Sequence, residues 1–152
     1  MDITFSRFYH CAIENGDSPI IIGGIDLHGT YFKQTEMYNL QLRQICQLPE
    51  LNIGRTNHGC AKIRENPDDL TYTLVVAGGW HKAKYTALVE ILRPGSKYWS
   101  VVQPLTQWRL FTAMVINSIG KNLDKTIIYN VFYCFSIRIV NLKVKAIKTH
   151  RI

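Results

Sequence analysis

Apolar residues over the first 108 positions fall in short runs of about five residues, a length that suits strands rather than helices. Where the pattern is clearest the runs are Gly59–Ile63, Tyr72–Ala77, Thr86–Leu92 and Tyr98–Val102, each bounded by turn formers. Val, Ile, Tyr, Thr and Trp dominate them, as pleated surfaces favour. No segment keeps an apolar stripe at i, i+3, i+4 and i+7 over three turns. The pattern predicts an all-β chain.

The runs recur. A first unit reads Arg7, His10, Ile20-Ile21-Ile22-Gly23-Gly24, Glu36 and Tyr38. A second reads Arg55, His58, Leu74-Val75-Val76-Ala77-Gly78-Gly79, Glu90 and Trp99. The arginines are 48 positions apart (55 − 7) and the glycine pairs 55 apart (78 − 23). The difference falls in Arg64–Leu70, a polar stretch that reads as a lengthened surface loop. A third unit begins at Arg109, then loses its glycine pair. A period near 50 with four short strands per unit predicts propeller blades. The apolar runs before each glycine pair predict strands covered on both faces. The glycines would thin the contact between neighbouring blades and supply positive φ as the chain leaves the strand.

On these residues the sequence resembles the kelch repeat family, whose pattern is an apolar run, Gly-Gly, then a Tyr and a Trp separated by six residues. The first unit keeps Tyr38 but has Ile45 at the Trp position; the second keeps Trp99 but has Leu92 at the Tyr position. The resemblance covers residues 7–108 well and 109–118 weakly. It implies four-stranded antiparallel blades with aromatics packed between them. The predicted fold is therefore two kelch-type blades, about 7–49 and 55–103, with the start of a third at about 109–123. The ring is incomplete, and a divergent segment follows at 124–152. Propellers of the family most often have six or seven blades. The missing partners are met by one of three arrangements: a fragment or shortened isoform, assembly with copies of itself or other blades, or an open stack closed by its own tail.

Charge changes the picture only in the tail. Residues 1–108 hold ten Lys/Arg against ten Asp/Glu, so the formal charge of +7 sits wholly in 109–152, with eight Lys/Arg and Asp124 alone. In that segment Ile137, Ile139, Leu142, Val144 and Ala146 interleave with Arg138, Asn141, Lys143 and Lys145. This predicts a strand with one wet face, its edge guarded by lysines. The alternative is a basic arm for nucleic acid or anionic membrane, which deleting residues 138–151 would test. No uncharged apolar run is long enough to span a membrane, and Met1–Phe5 lacks the character of a signal peptide. The four cysteines, at 11, 46, 60 and 134, form no C-x-x-C pair. They are expected to be free, mostly buried thiols of a cytoplasmic protein.

Candidate chemistry is sparse. His10 and His58 hold equivalent places and are expected to be buried, hydrogen-bonded structural residues, since further metal ligands at suitable spacing are missing. The recurring Arg7, Arg55 and Arg109 are expected to bond from blade to blade. Glu36 and Glu90 are expected to accept hydrogen bonds within the stack. Neither glycine pair is followed by the G-x-x-G and helix of a phosphate cradle, and no nucleophile-elbow, zincin or P-loop motif occurs. No catalytic, cofactor or metal residues are assigned.

The loops after the glycine pairs differ while the strands around them match, as recognition loops on a repeated scaffold do. Asp26, His28 and Tyr31 in the first loop and His81, Lys82 and Tyr85 in the second are the candidate protein-binding residues. Family resemblance and loops together predict a non-catalytic protein-interaction module, of the kind that serves as a substrate-recognition or cytoskeletal adaptor. Fragments of a propeller enzyme are the remaining alternative. The expected partner is a protein, with no specific nucleic acid and no cofactor.

Overall fold

The computed structural model describes residues 6–64 and 70–107, and the backbone of 112–115 and 129–132. In chain order the strands are β1 (Cys11–Ile13), β2 (Ile20–Ile22), β3 (Thr35–Asn39), β4 (Gln44–Leu48), β5 (Gly59–Ile63) and β6 (Thr73–Ala77). There follow β7 (Trp80–His81), β8 (Lys84–Tyr85), β9 (Val89–Leu92), β10 (Ser100–Val102), β11 (Thr112–Val115) and β12 (Tyr129–Phe132). No helix occurs among the described residues, so none is long and apolar enough to cross a membrane. The predicted strands hold, with β9 and β10 starting later than the apolar pattern implied.

Strands β1 to β4 form one antiparallel sheet in chain order. Strands β5, β6, β9 and β10 form a second, also in chain order once the small β7–β8 hairpin is set aside. The two match in design: glycine pairs follow the second strand of each, and the buried glutamates lie on the third. A third, two-stranded sheet pairs β11 with β12. Strand β11 lies against β5, as β5 lies against β1. Arg109, from which the third unit was reckoned, lies outside the described residues. The described strands close no barrel, which fits blades of an incomplete propeller.

Pairing register decides which side chains meet. Cys11 pairs with Ile22 and Ile13 with Ile20, so these four share a face of the first sheet. Cys60 pairs with Val76 and Lys62 with Leu74, which places Cys60, Val76 and Leu74 on one face of the second. These two faces pack together. Ile13, Ile20, Ile22, Leu51, Cys60, Leu74, Val76, Leu92 and Trp99 make one buried cluster. The opposite face of the second sheet, with Val75, Ala77, Val89 and Ile91, forms another. Both faces of β6 are thus covered, which is why its sequence runs apolar without alternation.

The cysteines depart from expectation. Cys11 and Cys60 form a disulfide across the sheet interface, with Cα atoms 6.0 Å apart, while Cys46 is free and exposed on β4. Relative to its repeat arginine, Cys11 comes four residues on and Cys60 five. That one-residue offset turns the two thiols to opposite faces of their own sheets, and consecutive sheets face each other through those sides. The bridge also removes the thiol argument for a reducing compartment. Cys134 and the alternating segment 136–146 lie outside the described residues.

Candidate protein-binding surface

Both glycine pairs end their strands in positive φ, at 60° and 106° for Gly23 and Gly24 and at 69° and 99° for Gly78 and Gly79. They are also sites of close approach. A Cβ on Gly23 would stand 2.7 Å from the Arg55 carbonyl oxygen and 2.8 Å from the His58 ring, both in the next unit. The Gly24 N–H donates to that same Arg55 carbonyl at 2.8 Å. Absence of a side chain lets one blade's strand end hydrogen-bond to the start of the next.

The side chains of Arg7 and Arg55 are each held inside their own sheet, a correction to the blade-to-blade expectation, while Arg109 lies outside the described residues. Arg7 lies just before β1 and reaches across the sheet end, donating to the Gly23 carbonyl at 3.1 Å and to Glu36 at 2.6 Å. Arg55 does the same with Gly78 at 2.9 Å, Leu88 at 2.8 Å and Glu90 at 2.5 Å. Burial lowers the Arg55 pKa, and Glu90 opposes it. The glutamates accept as predicted, but from different neighbours. Glu36 also receives the Tyr38 hydroxyl and the Gln47 amide. Glu90 also receives the backbone and side-chain amides of Asn52, from the segment joining the sheets. Asn52, which no motif announced, thus ties the joining segment to Glu90 of the second sheet.

Trp99 packs in the inter-sheet cluster and donates its indole N–H to the Pro49 carbonyl at 2.8 Å, as the resemblance implied for its aromatics. Tyr38 is buried outside that cluster. Its hydroxyl is pushed up to about 12, by burial first and then by donation to the Glu36 carboxylate. The two histidines diverge as well. His58 is buried, and among the described residues neither ring nitrogen has a hydrogen-bond partner of good geometry. Burial, helped by the charge of Arg55, holds its imidazole neutral, pushed down to about 3, while the Ile22 backbone pulls weakly the other way. His10, expected to be buried, is exposed, because no preceding sheet among the described residues covers its side of the first blade.

The loops after the glycine pairs leave the same end of the two sheets and meet. The Tyr31 and His81 rings pack edge to face with centroids 5.7 Å apart. Both contacts turn on Gly54. His81 Nδ1 hydrogen-bonds with the Gly54 carbonyl, and a Cβ on Gly54 would stand 2.2 Å from the Tyr31 carbonyl oxygen. A side chain at 54 would hold the loops apart. In the second loop β7 and β8 form a hairpin whose central residues, Lys82 and Ala83, both have positive φ, the twist that tight hairpins need. The Trp80 and Tyr85 rings pack edge to face across it at 4.6 Å. In the first loop, Asp26 accepts the N–H groups of His28 at 2.9 Å and Thr30 at 2.8 Å. The Thr30 bond is the main cause of its lowered pKa.

Of the six candidate binding residues, Tyr31 and His81 are therefore brought together. Tyr85 braces Trp80, Asp26 shapes its own turn, and His28 and Lys82 are exposed at the loop tips. Sequence comparison missed Gly54 and Trp80. Gly54 stands one residue before the repeat arginine, outside any turn signal. No protein-family model and no curated protein matches the chain.

Proposed function

We propose that the chain is a kelch-type protein-interaction module, non-catalytic, that offers the loops 25–32 and 80–85 to a protein partner. The observation that carries this reading is the meeting of the two loops over Gly54. Loops that differ in sequence, borne on sheets that match in design, converge into one surface with aromatic and charged groups side by side. The repeat of Arg, Gly-Gly and Glu in both units supports the kelch assignment. An adaptor role, in substrate recognition or on the cytoskeleton, follows from that family resemblance.

The test is site-directed photocrosslinking. A photoreactive residue is placed at His28 or, as control, at Tyr98 on the opposite end of the sheets. The reading expects adducts to discrete proteins from His28 that vanish when Tyr31 and His81 are both changed to Ala in a folded chain. Adducts that persist in the double variant, or that form equally from Tyr98, overturn it.

A further inference from the structure

The loop surface has a charge character of its own. Lys82 and Lys84 are exposed at the hairpin, and neither forms an ion pair among the described residues. The acid of the neighbouring loop, Asp26, forms no ion pair with them among the described residues, and its Oδ1 accepts two backbone N–H groups of its own turn. Arg7 and Arg55 add no cation to the surface, each being buried against its glutamate. Aromatic rings stand at the same end of the sheets as the lysines. Trp80 and Tyr31 are half-buried, and Phe8 and Tyr9 are 43% and 64% exposed. Phe8 is tied to the first loop by paired backbone bonds with Ile25, at 2.8 and 3.0 Å. Thr56 is tied to Trp80 in the same way, at 3.0 and 2.8 Å. The aromatics therefore ride on one bonded frame with the two free ammonium groups.

From this we propose that the surface binds an acidic peptide segment of its partner, carboxylates toward Lys82 and Lys84 and apolar or aromatic side chains on the rings of Tyr31 and Trp80. The inference rests on the loop reading above and adds the chemistry of the partner. Cations beside aromatics also suit single-stranded nucleic acid, which needs open ring faces and a row of cations along its backbone. Here the hairpin supplies two lysines rather than a track along which a phosphate backbone could run. A short acidic segment fits that set better.

The experiment is an NMR titration of the full chain, following the backbone amides of 25–32 and 80–85. The ligands are a synthetic peptide of Glu, Tyr and Gly, its counterpart with Gln for every Glu, its counterpart with Lys for every Glu, and oligothymidylate. The Glu peptide is expected to shift both loops, with affinity falling as salt rises. K82E/K84E should weaken it by about tenfold or more and transfer preference to the Lys peptide. Equal binding of the Gln peptide at the same amides overturns the acidic chemistry and leaves the loop reading standing. Binding of the Glu peptide that moves amides elsewhere, unchanged by Ala at Tyr31 and His81, overturns the loop reading itself. Preferential binding of oligothymidylate, or no shift from any peptide, overturns the proposal.

Discussion

The Arg55 guanidinium and the Glu90 carboxylate meet at 2.5 Å with no solvent exposure on either side chain. Arg7 and Glu36 repeat the arrangement at 2.6 Å in the preceding sheet. Two charges in such a place are tolerable because each meets the other and further partners: Gly78 and Leu88 accept from Nη1 of the arginine, whose Nε has no partner among the described residues, and Asn52 donates to the glutamate.

Removing one partner leaves the other charged and buried. Glu90→Gln should therefore destabilise the chain by about 3–5 kcal/mol, whereas Arg55→Met with Glu90→Leu should recover part of that loss. Urea denaturation curves for the three chains check it. A single variant as stable as the parent would show that the pair is not closed off from water.

Glycine is required at Gly79 for two reasons at once. Its φ of +99° costs an L side chain about 1–2 kcal/mol or more in backbone strain. A Cβ there would also stand 2.7 Å from the Thr56 carbonyl oxygen, in the bonded frame beneath the second loop. Gly95 has φ +72° but nothing within 4 Å of such a Cβ. Gly79→Ala should lower the melting temperature well beyond Gly95→Ala, which bears the strain alone. Equal shifts would mean that contact at the glycine pair is not tight.

Much of this was legible because the chain states its design twice. Short apolar runs gave the strands, recurrence of Arg, Gly-Gly and Glu in register gave the matching of the two units, and the family resemblance implied the antiparallel four-stranded sheet. What recurrence cannot give is the neighbour on the far side of a sheet. His10 and His58 hold the same place in their units, yet among the described residues only His58 has another sheet against it, at Gly23. Cys11 and Cys60 looked unrelated because they are one position out of register, although that offset is what lets them face each other. The meeting of the loops at Gly54 was hidden for a similar reason: a residue whose role is to have no side chain carries no pattern beyond its own identity.

The Cys11–Cys60 bridge closes a loop with a sequence separation of 49. Chain-entropy reasoning gives about 4 kcal/mol for a loop of that size, by restricting the unfolded ensemble. Cys11→Ser in the oxidised chain should lose stability on that scale, and reductant should take the parent to nearly the same denaturation midpoint. Cys46→Ser, on an exposed edge strand, should change little. Peptide mapping after alkylation without reductant gives the direct check. Alkylation of both Cys11 and Cys60 would show that the bridge is absent.

His58 makes stability depend on pH in a window that the carboxylates do not reach. Its folded pKa is pushed down to about 3 from an ordinary value of 6.5, burial being the main cause. Below pH 6.5 the unfolded chain takes up a proton at this site that the folded chain refuses. Stability is therefore complete above 6.5 and falls with pH from there until the folded pKa is reached. The slope approaches about 1.4 kcal/mol per pH unit once the unfolded imidazole is fully charged. Glu14 and Asp26 have lowered pKa values and add their own loss, but only near and below the ordinary carboxylate range. Urea midpoints taken between pH 7 and 5 should decline in the parent and flatten in His58→Leu, which keeps the packing against Gly23 and removes the titrating ring. An unchanged slope in that variant would mean that water reaches the histidine and that the contact between the two blades is looser than its close approach at Gly23 requires.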